Sequence, residues 1–351
     1  MPVKTCLLMG ILAATLSCSR SSYVQFSGYA QGGTWSVKAN LAGVKTKPAE
    51  IQKGIEAILE EIDTTLSGYN KASQLSRFNA GESVEPSPMF REVLEAAINF
   101  WKETDGALDC AAGPLFDIWG FGFKTDSLPS DDLVRRTLAS CGMARLVCLE
   151  TGTICSEKTD ICSQIMAKKG TNQPTLNFNA IAQGYSCDKV AQYLYGIGVK
   201  DMLVDIGEIF CDGVNPAGKP WRVGIDRPKD GNNTPGAEID GIWESDGGPH
   251  GIVTSGNYRK FYIRDGVKYS HTIDPRTGYP VQHKLLSATI VAPTAMEADA
   301  YATACMVEGF EAARDFILSC DGLEGCLIRE TPGQPGNDGI WTSPGFRTGK
   351  R

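Results

Sequence analysis

Residues 295–303 read Ala-Met-Glu-Ala-Asp-Ala-Tyr-Ala-Thr, a run dominated by alanine. We predict a helix over residues 294–309 that includes this run, which puts Asp299 and Thr303 four residues apart on one face. Both side chains offer the hard oxygen atoms that Mg²⁺ prefers, and the small alanines leave room for a ligand. The same spacing also suits a plain helix, with Asp299 capping the first turn and Thr303 bonding its own backbone. From spacing alone, the structural interpretation is the favoured one.

Upstream of this run, residues 269–278 read YSHTIDPRTG, and Asp-Pro-Arg-Thr-Gly is strong turn chemistry. His271 and Asp274 therefore come just before a tight loop. His271 is a candidate general base because imidazole titrates near working pH. The sequence holds three histidines, so a histidine-dependent reaction has few candidates. A hydrogen-bonded structural histidine remains open.

Two further segments suggest a ligand site. Residues 177–186 (NFNAIAQGYS) lead into a predicted helix, and a helix N-terminus preceded by small residues can receive a phosphate. A simple junction with Asn caps is the alternative. Residues 204–207 (VDIG) form a buried strand that ends in Asp205, which either lines a ligand crevice or is a buried structural acid.

The hydrophobic periodicity indicates an α+β (mixed α/β) protein. The predicted helices are 48–66, 89–101, 131–141, 184–196, 294–309 and 310–320. The predicted strands are 23–39, 202–206, 221–225, 251–255, 261–263 and 288–291. We expect loops at 67–85 and 106–123, and surface segments at 228–249 and after residue 331, where Gly, Asn, Asp and Pro accumulate.

Composition narrows the function classes. With 351 residues and 42% hydrophobic content, the chain can build a large core. A formal net charge of -7 without any Lys/Arg run argues against nucleic-acid binding. Walker, G-x-G-x-x-G and G-x-S-x-G motifs are absent from the sequence.

The N-terminus predicts export. Lys4 precedes an apolar run over residues 5–16, which is too short for a membrane helix but suits a secretory signal peptide at 1–17. Small residues before Cys18 predict lipoprotein processing, with residues 18–27 as lipidated terminus and tether. An ordinary signal peptide with a chance cysteine is the alternative.

Export changes how the cysteines are interpreted, because disulfides persist outside the cytosol. Thr151-Gly152 suits a two-residue hairpin turn between strands at 146–150 and 153–155. In that register Cys148 faces Cys155, and the extended register puts Cys141 opposite Cys162. Free buried cysteines are the alternative.

A set of motifs in a fixed order adds a resemblance. The motifs are Gly33-Thr34, LSGY at 66–69, SQLSRFN at 73–79, GALD at 106–109, GPL at 113–115, WGFG at 119–122, AIAQGY at 180–185, VDIG at 204–207, NP to KPW at 215–221, TSG at 254–256, SH and IDPRTG within 270–278, and EADA with AT within 297–303. By these motifs the chain resembles the ApbE family, the FAD:protein FMN transferases, from about Gly28 to Gly309. The resemblance implies a fold with mixed sheets flanked by helices, a catalytic domain at 28–330 and a polar tail at 331–351.

The resemblance also implies site residues. Asp299, Thr303 and the main-chain oxygen of Ala180 correspond to metal ligands. The positions that correspond to FAD contacts are Tyr69, Ala107, Leu108, Asp109, Asn177, Gln183 and Ile273. Gln183 stands where the family commonly has lysine, Asn177 where it commonly has aspartate, and residues 31–34 (QGGT) replace a usual Met-Gly-Thr.

The implied activity is the transfer of FMN from FAD to a Thr or Ser hydroxyl of an acceptor protein, with release of AMP. We expect Mg²⁺ as cofactor, with Mn²⁺ or Ca²⁺ as alternatives, and His271 as base with Asp274 orienting it or shaping the turn. The expected acceptor is a subunit of a membrane redox complex, and the expected location is periplasmic, lipid-anchored through Cys18, with the inner membrane favoured. Two other functions stay open: a metal-dependent FAD pyrophosphatase that yields FMN and AMP, and a flavin-binding lipoprotein without chemistry.

Overall fold

The computed structural model describes residues 22–121, 128–151, 174–232, 234, 236–258, 261–264, 266–331 and 338–349. The described strands are β1 (Tyr23–Ala30), β2 (Gly33–Asn40), β3 (Met202–Asp205), β4 (Ile209–Asp212), β5 (Arg222–Asp226), β6 (Ile239–Glu244), β7 (His250–Gly256), β8 (Phe261–Arg264), β9 (Val267–Ser270), β10 (Leu285–Ala292), β11 (Glu324–Glu330) and β12 (Asp338–Thr342). The described helices are α1 (Pro48–Leu66), α2 (Gln74–Asn79), α3 (Pro88–Glu103), α4 (Gly113–Ile118), α5 (Asp131–Ser140), α6 (Met143–Thr151), α7 (Ala182–Gly196), α8 (Ala295–Glu308) and α9 (Phe310–Ser319).

An eight-stranded sheet forms the centre of the protein, in the order β1-β2-β3-β4-β7-β10-β11-β12. Two small sheets, β5-β6 and β8-β9, lie beside it. Every pairing between described strands is antiparallel, so the α+β class is confirmed while the sheets are antiparallel rather than mixed. The helices pack on the sheet because each carries an apolar stripe, as in α1, where Ile51, Ile55, Leu59 and Ile62 are buried.

The helices that matter for the site share one core. Side chains of α7 pack with α1 and strands β2 and β3, whereas α8 packs against β10, β11 and α9. A third cluster joins α3, the start of α7 and α8. Helices α7 and α8 therefore pack against each other between the sheet and α3. This packing fixes the position of their N-terminal ends.

The predicted strand at 23–39 is wrong in one respect, because it is a hairpin of β1 and β2. Gln31 and Gly32 both adopt left-handed backbone conformations, with φ of 52° and 79°. A two-residue turn of this kind matches the twist of antiparallel strands. The alternating pattern continues through the turn, so periodicity alone did not reveal it.

The predicted hairpin at 146–155 is wrong in its first strand, since residues 146–150 lie in helix α6. The Asp109 carboxylate accepts hydrogen bonds from the Met143 N–H at 2.8 and 3.0 Å, which satisfies an amide at the start of this helix. Leu146 and Val147 are buried in the core cluster of α3. Cys141 is a free buried thiol, contrary to a bond with Cys162, and Cys155 and Cys162 lie outside the described residues.

The segments predicted as loops and tail also carry regular structure. Helices α2 and α4 lie within the expected loops, and β6 lies within the expected surface segment at 228–249. Strand β12 is an edge strand of the large sheet, so the segment after residue 331 contributes to the fold instead of being only a polar tail. Strand β1 begins at Tyr23, inside the predicted tether. None of the helices in the described ranges has the length and apolarity of a membrane-spanning segment.

Candidate functional site

The N-terminal ends of α7 and α8 touch at the centre of the candidate site. A Cβ at Gly184 would lie 2.2 Å from the Ala295 carbonyl oxygen, and a Cβ at Gly251 would lie 2.3 Å from the Thr294 carbonyl oxygen. Only glycine permits backbone approach at these distances. The two glycines therefore allow α8 to begin directly against α7 and β7.

Asp299 faces this junction. Its side chain is 5% exposed, and its Oδ2 accepts a hydrogen bond from the Gly184 N–H at 3.2 Å. Burial raises the pKa of Asp299 well above its usual range, although the Gly184 N–H opposes that shift. Among the described residues, no lysine or arginine pairs with this carboxylate. A buried carboxylate with so little compensation is a favourable place for a cation.

The carbonyl of Ala180 lies at the same helix end. In a regular α-helix the Gly184 N–H would reach back to residue 180, but here it donates to Asp299 instead. Within the described ranges, no backbone N–H donates to the Ala180 oxygen. The diverted hydrogen bond thus leaves a carbonyl oxygen available beside the carboxylate.

Thr303 follows Asp299 by one turn of α8 and is half-buried. The structure therefore places Asp299 and Thr303 on α8 and Ala180 in the turn just before α7, and these two helices are in contact. The three residues offer one carboxylate, one hydroxyl and one carbonyl oxygen. No cluster of three His, Cys, Asp or Glu side chains suited to a metal occurs among the residues described. The set offers hard oxygen atoms and is incomplete by itself, which is typical of a Mg²⁺ that also binds substrate phosphates.

The segment 107–110 packs in the core cluster that also contains the start of α7 and side chains of α8. Burial raises the pKa of the Cys110 thiol, and the charges of Asp109 and Asp299 raise it further, so both carboxylates lie near this sulfur. Ala107 and Leu108 are 1% and 3% exposed, so their side chains belong to the core and only their backbone can meet a ligand. The Asp109 carboxylate accepts hydrogen bonds from the Met143 N–H at 2.8 Å and from the Ala111 N–H at 2.7 Å.

Asn177 joins this segment to the start of α7. Its N–H donates to the Cys110 carbonyl at 2.7 Å, and its Oδ1 accepts from the Asn179 N–H at 2.9 Å. The second bond is the local cap that the sequence left open as an alternative to phosphate binding. Asn177 is therefore placed at the predicted site while its side-chain oxygen shapes the turn before Ala180.

Gln183 contacts the strand end at 204–207. Its Nε2 donates to the Ile206 carbonyl at 3.4 Å, and a Cβ at Gly207 would lie 2.6 Å from that nitrogen. Gly207 has φ of +91°, a conformation that favours glycine. Burial raises the pKa of Asp205, whose Oδ1 accepts the Gly207 N–H at 3.2 Å. Asp205 thus shapes this turn, in agreement with its structural interpretation.

The hairpin tip reaches the same helix. Gln31 Nε2 donates to the Ser186 hydroxyl at 2.6 Å, which brings the β1–β2 turn against the first turns of α7. The two motifs at 31–34 and 180–185 are therefore neighbours in space, although about 150 residues separate them along the chain.

The turn at 274–278 is fixed from both sides. Arg276 pairs with Asp274 through Nε at 2.9 Å and with Glu308 through Nη1 at 2.5 Å. Glu308 is the last residue of α8, so this pair ties the turn to the helix of Asp299 and Thr303. On the other side, the Trp119 indole N–H donates to the Gly278 carbonyl at 2.8 Å.

This arrangement favours the turn-shaping role among the two roles predicted for Asp274. Its Oδ1 accepts the Arg276 N–H at 2.9 Å, and its backbone carbonyl accepts the Gly278 N–H at 2.8 Å. These bonds shape the turn, whereas none of its hydrogen bonds within the described residues goes to His271. The His271 ring is half-buried and lies 6.4 Å from the Phe121 ring, centroid to centroid.

The remaining predicted contacts differ in accessibility. Tyr69 is 68% exposed, so its ring lies at the surface and can stack on a ligand. Ile273 is 1% exposed and packs with Leu115 and Trp119, so only its backbone can meet a ligand.

Arg276 and Gly184 position parts of the site, and neither residue was predicted to do so from the sequence. Arg276 lies within the most distinctive motif, and its charge beside two acids was the available clue. Gly184 in the first turn of a helix is unusual enough to suggest close packing, but its partner is 115 residues away along the chain.

Known proteins are similar to this chain over most of its length. The ApbE family model matches residues 31–327. An FAD:protein FMN transferase of Escherichia coli (strain K12) is 33% identical over 328 residues, covering 92% of this chain and 87% of that protein. One from Vibrio cholerae serotype O1 is 35% identical over 298 residues, covering 82% of each.

Solved structures agree. The flavin transferase ApbE from Vibrio cholerae superposes with a TM-score of 0.76 at 31% identity, covering 92% of this chain and 98% of that one. The flavinyl transferase ApbE of Pseudomonas stutzeri gives 0.75 at 31% identity, covering 92% and 95%. The expected family, fold class and enzyme class are confirmed.

Proposed function

This chain belongs to the ApbE family, and from that membership we propose that it transfers FMN from FAD to a hydroxyl of an acceptor protein. It is an enzyme of the transferase class. The observation that carries the proposal is the buried carboxylate of Asp299, which lacks a cationic partner among the described residues and accepts the Gly184 N–H that a regular helix would direct to the Ala180 carbonyl.

We propose that this centre is a divalent-cation site. Asp299, Thr303 and the Ala180 carbonyl would hold Mg²⁺, because carboxylate, hydroxyl and carbonyl oxygens are its preferred ligands. Mn²⁺ and Ca²⁺ have the same preference for oxygen. When bound, the cation would neutralise charge on the FAD pyrophosphate. Desolvation of Asp299 supports this, since a cation offsets the cost of a buried negative charge.

The proposed reaction is a substitution at the FMN phosphorus of FAD. The Thr or Ser hydroxyl oxygen of the acceptor forms a bond to that phosphorus, and the bond from phosphorus to the oxygen shared with AMP breaks. AMP leaves with that oxygen. His271 would take the hydroxyl proton, and Asp274 would act indirectly by shaping the turn after it.

The position of His271 supports this role. It follows β9 directly, and Arg276 anchors the next turn to Glu308 of α8. The histidine is thus carried by a segment fixed to the helix of the proposed metal ligands. Phe121 lies against its ring and limits its exposure to water.

FAD would be bound by residues of different kinds. Tyr69 offers an exposed ring for the flavin, and the segment 107–109 and Ile273 offer backbone groups. Asn177 and Gln183 flank the N-terminus of α7, where an anionic phosphate is favoured.

Location and acceptor form part of the same proposal. The N-terminal sequence supports export and lipid attachment at Cys18, which would hold the enzyme at a bacterial membrane, with the inner membrane favoured. A membrane redox complex subunit with a reactive Thr or Ser is the proposed acceptor.

The deciding experiment incubates the protein with FAD, Mg²⁺ and a candidate acceptor, and follows the acceptor by mass spectrometry. The expected result is a mass increase equal to one FMN less water, together with AMP in equal amount. Free FMN and AMP without labelled acceptor would favour a pyrophosphatase. FAD that stays intact for hours would favour a flavin-binding protein and contradict the proposal.

A further inference from the structure

A carboxylate from α7 holds the first turn of α8. Asp188 accepts hydrogen bonds from the Ala295 N–H at 2.8 Å and from the Met296 N–H at 2.9 Å. The next amide, of Glu297, donates to the Thr294 hydroxyl at 3.1 Å. A helix begins with amides that lack partners within the helix, and these contacts satisfy them. The helix with Asp299 and Thr303 is thus anchored at its start by another helix.

The Asp188 side chain that makes these bonds is buried. It has no ion pair with lysine or arginine among the described residues, and burial raises its pKa to about 6, although the two amides oppose that shift. A buried carboxylate is costly unless hydrogen bonds and nearby positive charge compensate for it. The N-terminal end of α8 supplies both, through its amides and its dipole.

The anchoring is reciprocal. While Asp188 of α7 accepts from the start of α8, Asp299 of α8 accepts from Gly184 at the start of α7. Gly184 of α7 and Gly251 of β7 leave no space for a side chain against the start of α8, so the backbones meet directly at this contact. A shift of α8 along α7 would break all three hydrogen bonds together.

This register matters because the proposed cation ligands come from both sides of the contact. Ala180 precedes α7, whereas Asp299 and Thr303 lie on α8. We propose that Asp188 is a positioning residue that sets the separation between the Ala180 carbonyl and the two α8 side chains, and thereby the affinity for a divalent cation. The inference rests on the proposed function, since it concerns the same cation site.

Two substitutions separate position from charge. Asp188→Asn removes the charge and turns an amide NH₂ toward one of the two backbone N–H donors. Asp188→Glu keeps the charge but moves the carboxylate by one methylene. Thr294→Ala is the matched control, because it removes a different cap of the same helix and leaves the Asp188 contacts in place.

The measurement is Mn²⁺ binding by electron paramagnetic resonance, with the full chain in the presence of FAD and without acceptor. Both Asp188 variants should bind Mn²⁺ at least about tenfold more weakly, as is typical when a group supporting a metal ligand is changed. Thr294→Ala should stay within about twofold of the wild type, although it lowers thermal stability. The Mg²⁺ concentration for half-maximal transfer should move in parallel.

Several outcomes would overturn the inference. Wild-type binding by Asp188→Glu together with weak binding by Asp188→Asn would make charge the cause instead of position. Equal losses in Asp188→Asn and Thr294→Ala would show a general effect of destabilising α8. Asp299→Ala serves as a separate reference: if it binds Mn²⁺ like the wild type, the cation site of the proposed function fails, whatever Asp188 does.

A measurement on the wild type covers the case in which the Asp188 variants do not fold. Hydrogen exchange of the Ala295 and Met296 amides should slow by at least about tenfold when Mn²⁺ and FAD are added, because ligand binding would stabilise the same register. Unchanged exchange of these amides with saturating Mn²⁺ would contradict the proposed coupling.

Discussion

Asp188 and Asp299 each accept a hydrogen bond from the first turn of the helix that carries the other. The two distances to Asp188 are 2.8 and 2.9 Å, and the distance from the Gly184 nitrogen to Asp299 is 3.2 Å. Two buried acids therefore define one helix contact, and the negative charge of Asp188 adds to the raised pKa of Asp299. The two carboxyl groups hold the helices together, and they also place acidic oxygen atoms where a cation can bind.

The first prediction concerns Asp299. Asp299→Ala should lower metal-dependent FMN transfer by at least about a hundredfold, since it removes the charged ligand of the proposed cation. Transfer is measured as covalent flavin on the acceptor over a Mg²⁺ titration. Asp315→Ala is the control, because Asp315 forms an exposed ion pair on α9, and it should behave as the wild type. Undiminished transfer by Asp299→Ala without added metal would refute the assignment.

The second prediction concerns His271. His271→Ala should reduce the rate of transfer by about 10²- to 10⁴-fold, the usual contribution of a general base. FAD affinity, measured by flavin fluorescence, should stay within about threefold of the wild type, because the proposed role of the imidazole is proton transfer. Full activity in this variant would remove His271 from the mechanism.

The third prediction tests the close helix contact. Gly184→Ala should lower the free energy of unfolding by about 1–3 kcal/mol, because its Cβ would lie 2.2 Å from a backbone oxygen. The clash outweighs the gain of up to about 1 kcal/mol that alanine normally brings to a helix. Gly196→Ala, at the other end of α7 and with nothing within 4 Å of the new Cβ, should be neutral or stabilising. Chemical denaturation of both variants decides, and equal stabilities would count against the contact.

The fourth prediction is a pH dependence of stability. His283 Nδ1 accepts from the Leu285 N–H at 3.3 Å, so Nε2 carries the proton that bonds the Met306 carbonyl at 2.9 Å near the end of α8. Burial lowers the pKa of His283 below 6.5, so the folded protein favours the neutral ring. This contribution is complete above pH 6.5 and is lost as the pH falls through the lowered pKa.

His283→Gln tests the assignment, because a neutral amide can keep the bond to Met306. Denaturant unfolding at several pH values between about 7.5 and 5 should show a smaller loss of stability on acidification than in the wild type. Parallel curves for the two proteins would mean that other groups cause the pH dependence.

The fifth prediction concerns Cys18. Cys18→Ser should release the protein from the membrane fraction of expressing cells, because the proposed lipid is attached through this sulfur. Fractionation followed by immunoblotting measures the distribution. Membrane association equal to that of the wild type would exclude lipid on Cys18 as the anchor, while detergent-phase partitioning would show whether lipid is present elsewhere.

Part of the fold followed from local pattern. Helix α1 was predicted with its observed bounds, and α7 and α8 within two residues, because apolar spacing and end signals act over three or four positions. The placement of Asp299 and Thr303 on one helix face followed from the same helical spacing. In contrast, residues 146–150 were assigned to a strand because a short apolar run suits either state, and the group that favours the helix, Asp109, is 34 residues away from Met143.

The sequence alone determined the family, the class of fold and the helix face on which an acid and a hydroxyl stand together. Only the tertiary structure decided that Gly184 donates to Asp299 across 115 positions, that the Ala180 carbonyl is thereby left available, and that Asp188 anchors α8. The physical reason is the separation along the chain between the residues that interact. Helical and strand patterns depend on neighbours within a few residues, whereas a buried carboxylate takes its partners from whatever segment the packed core brings against it.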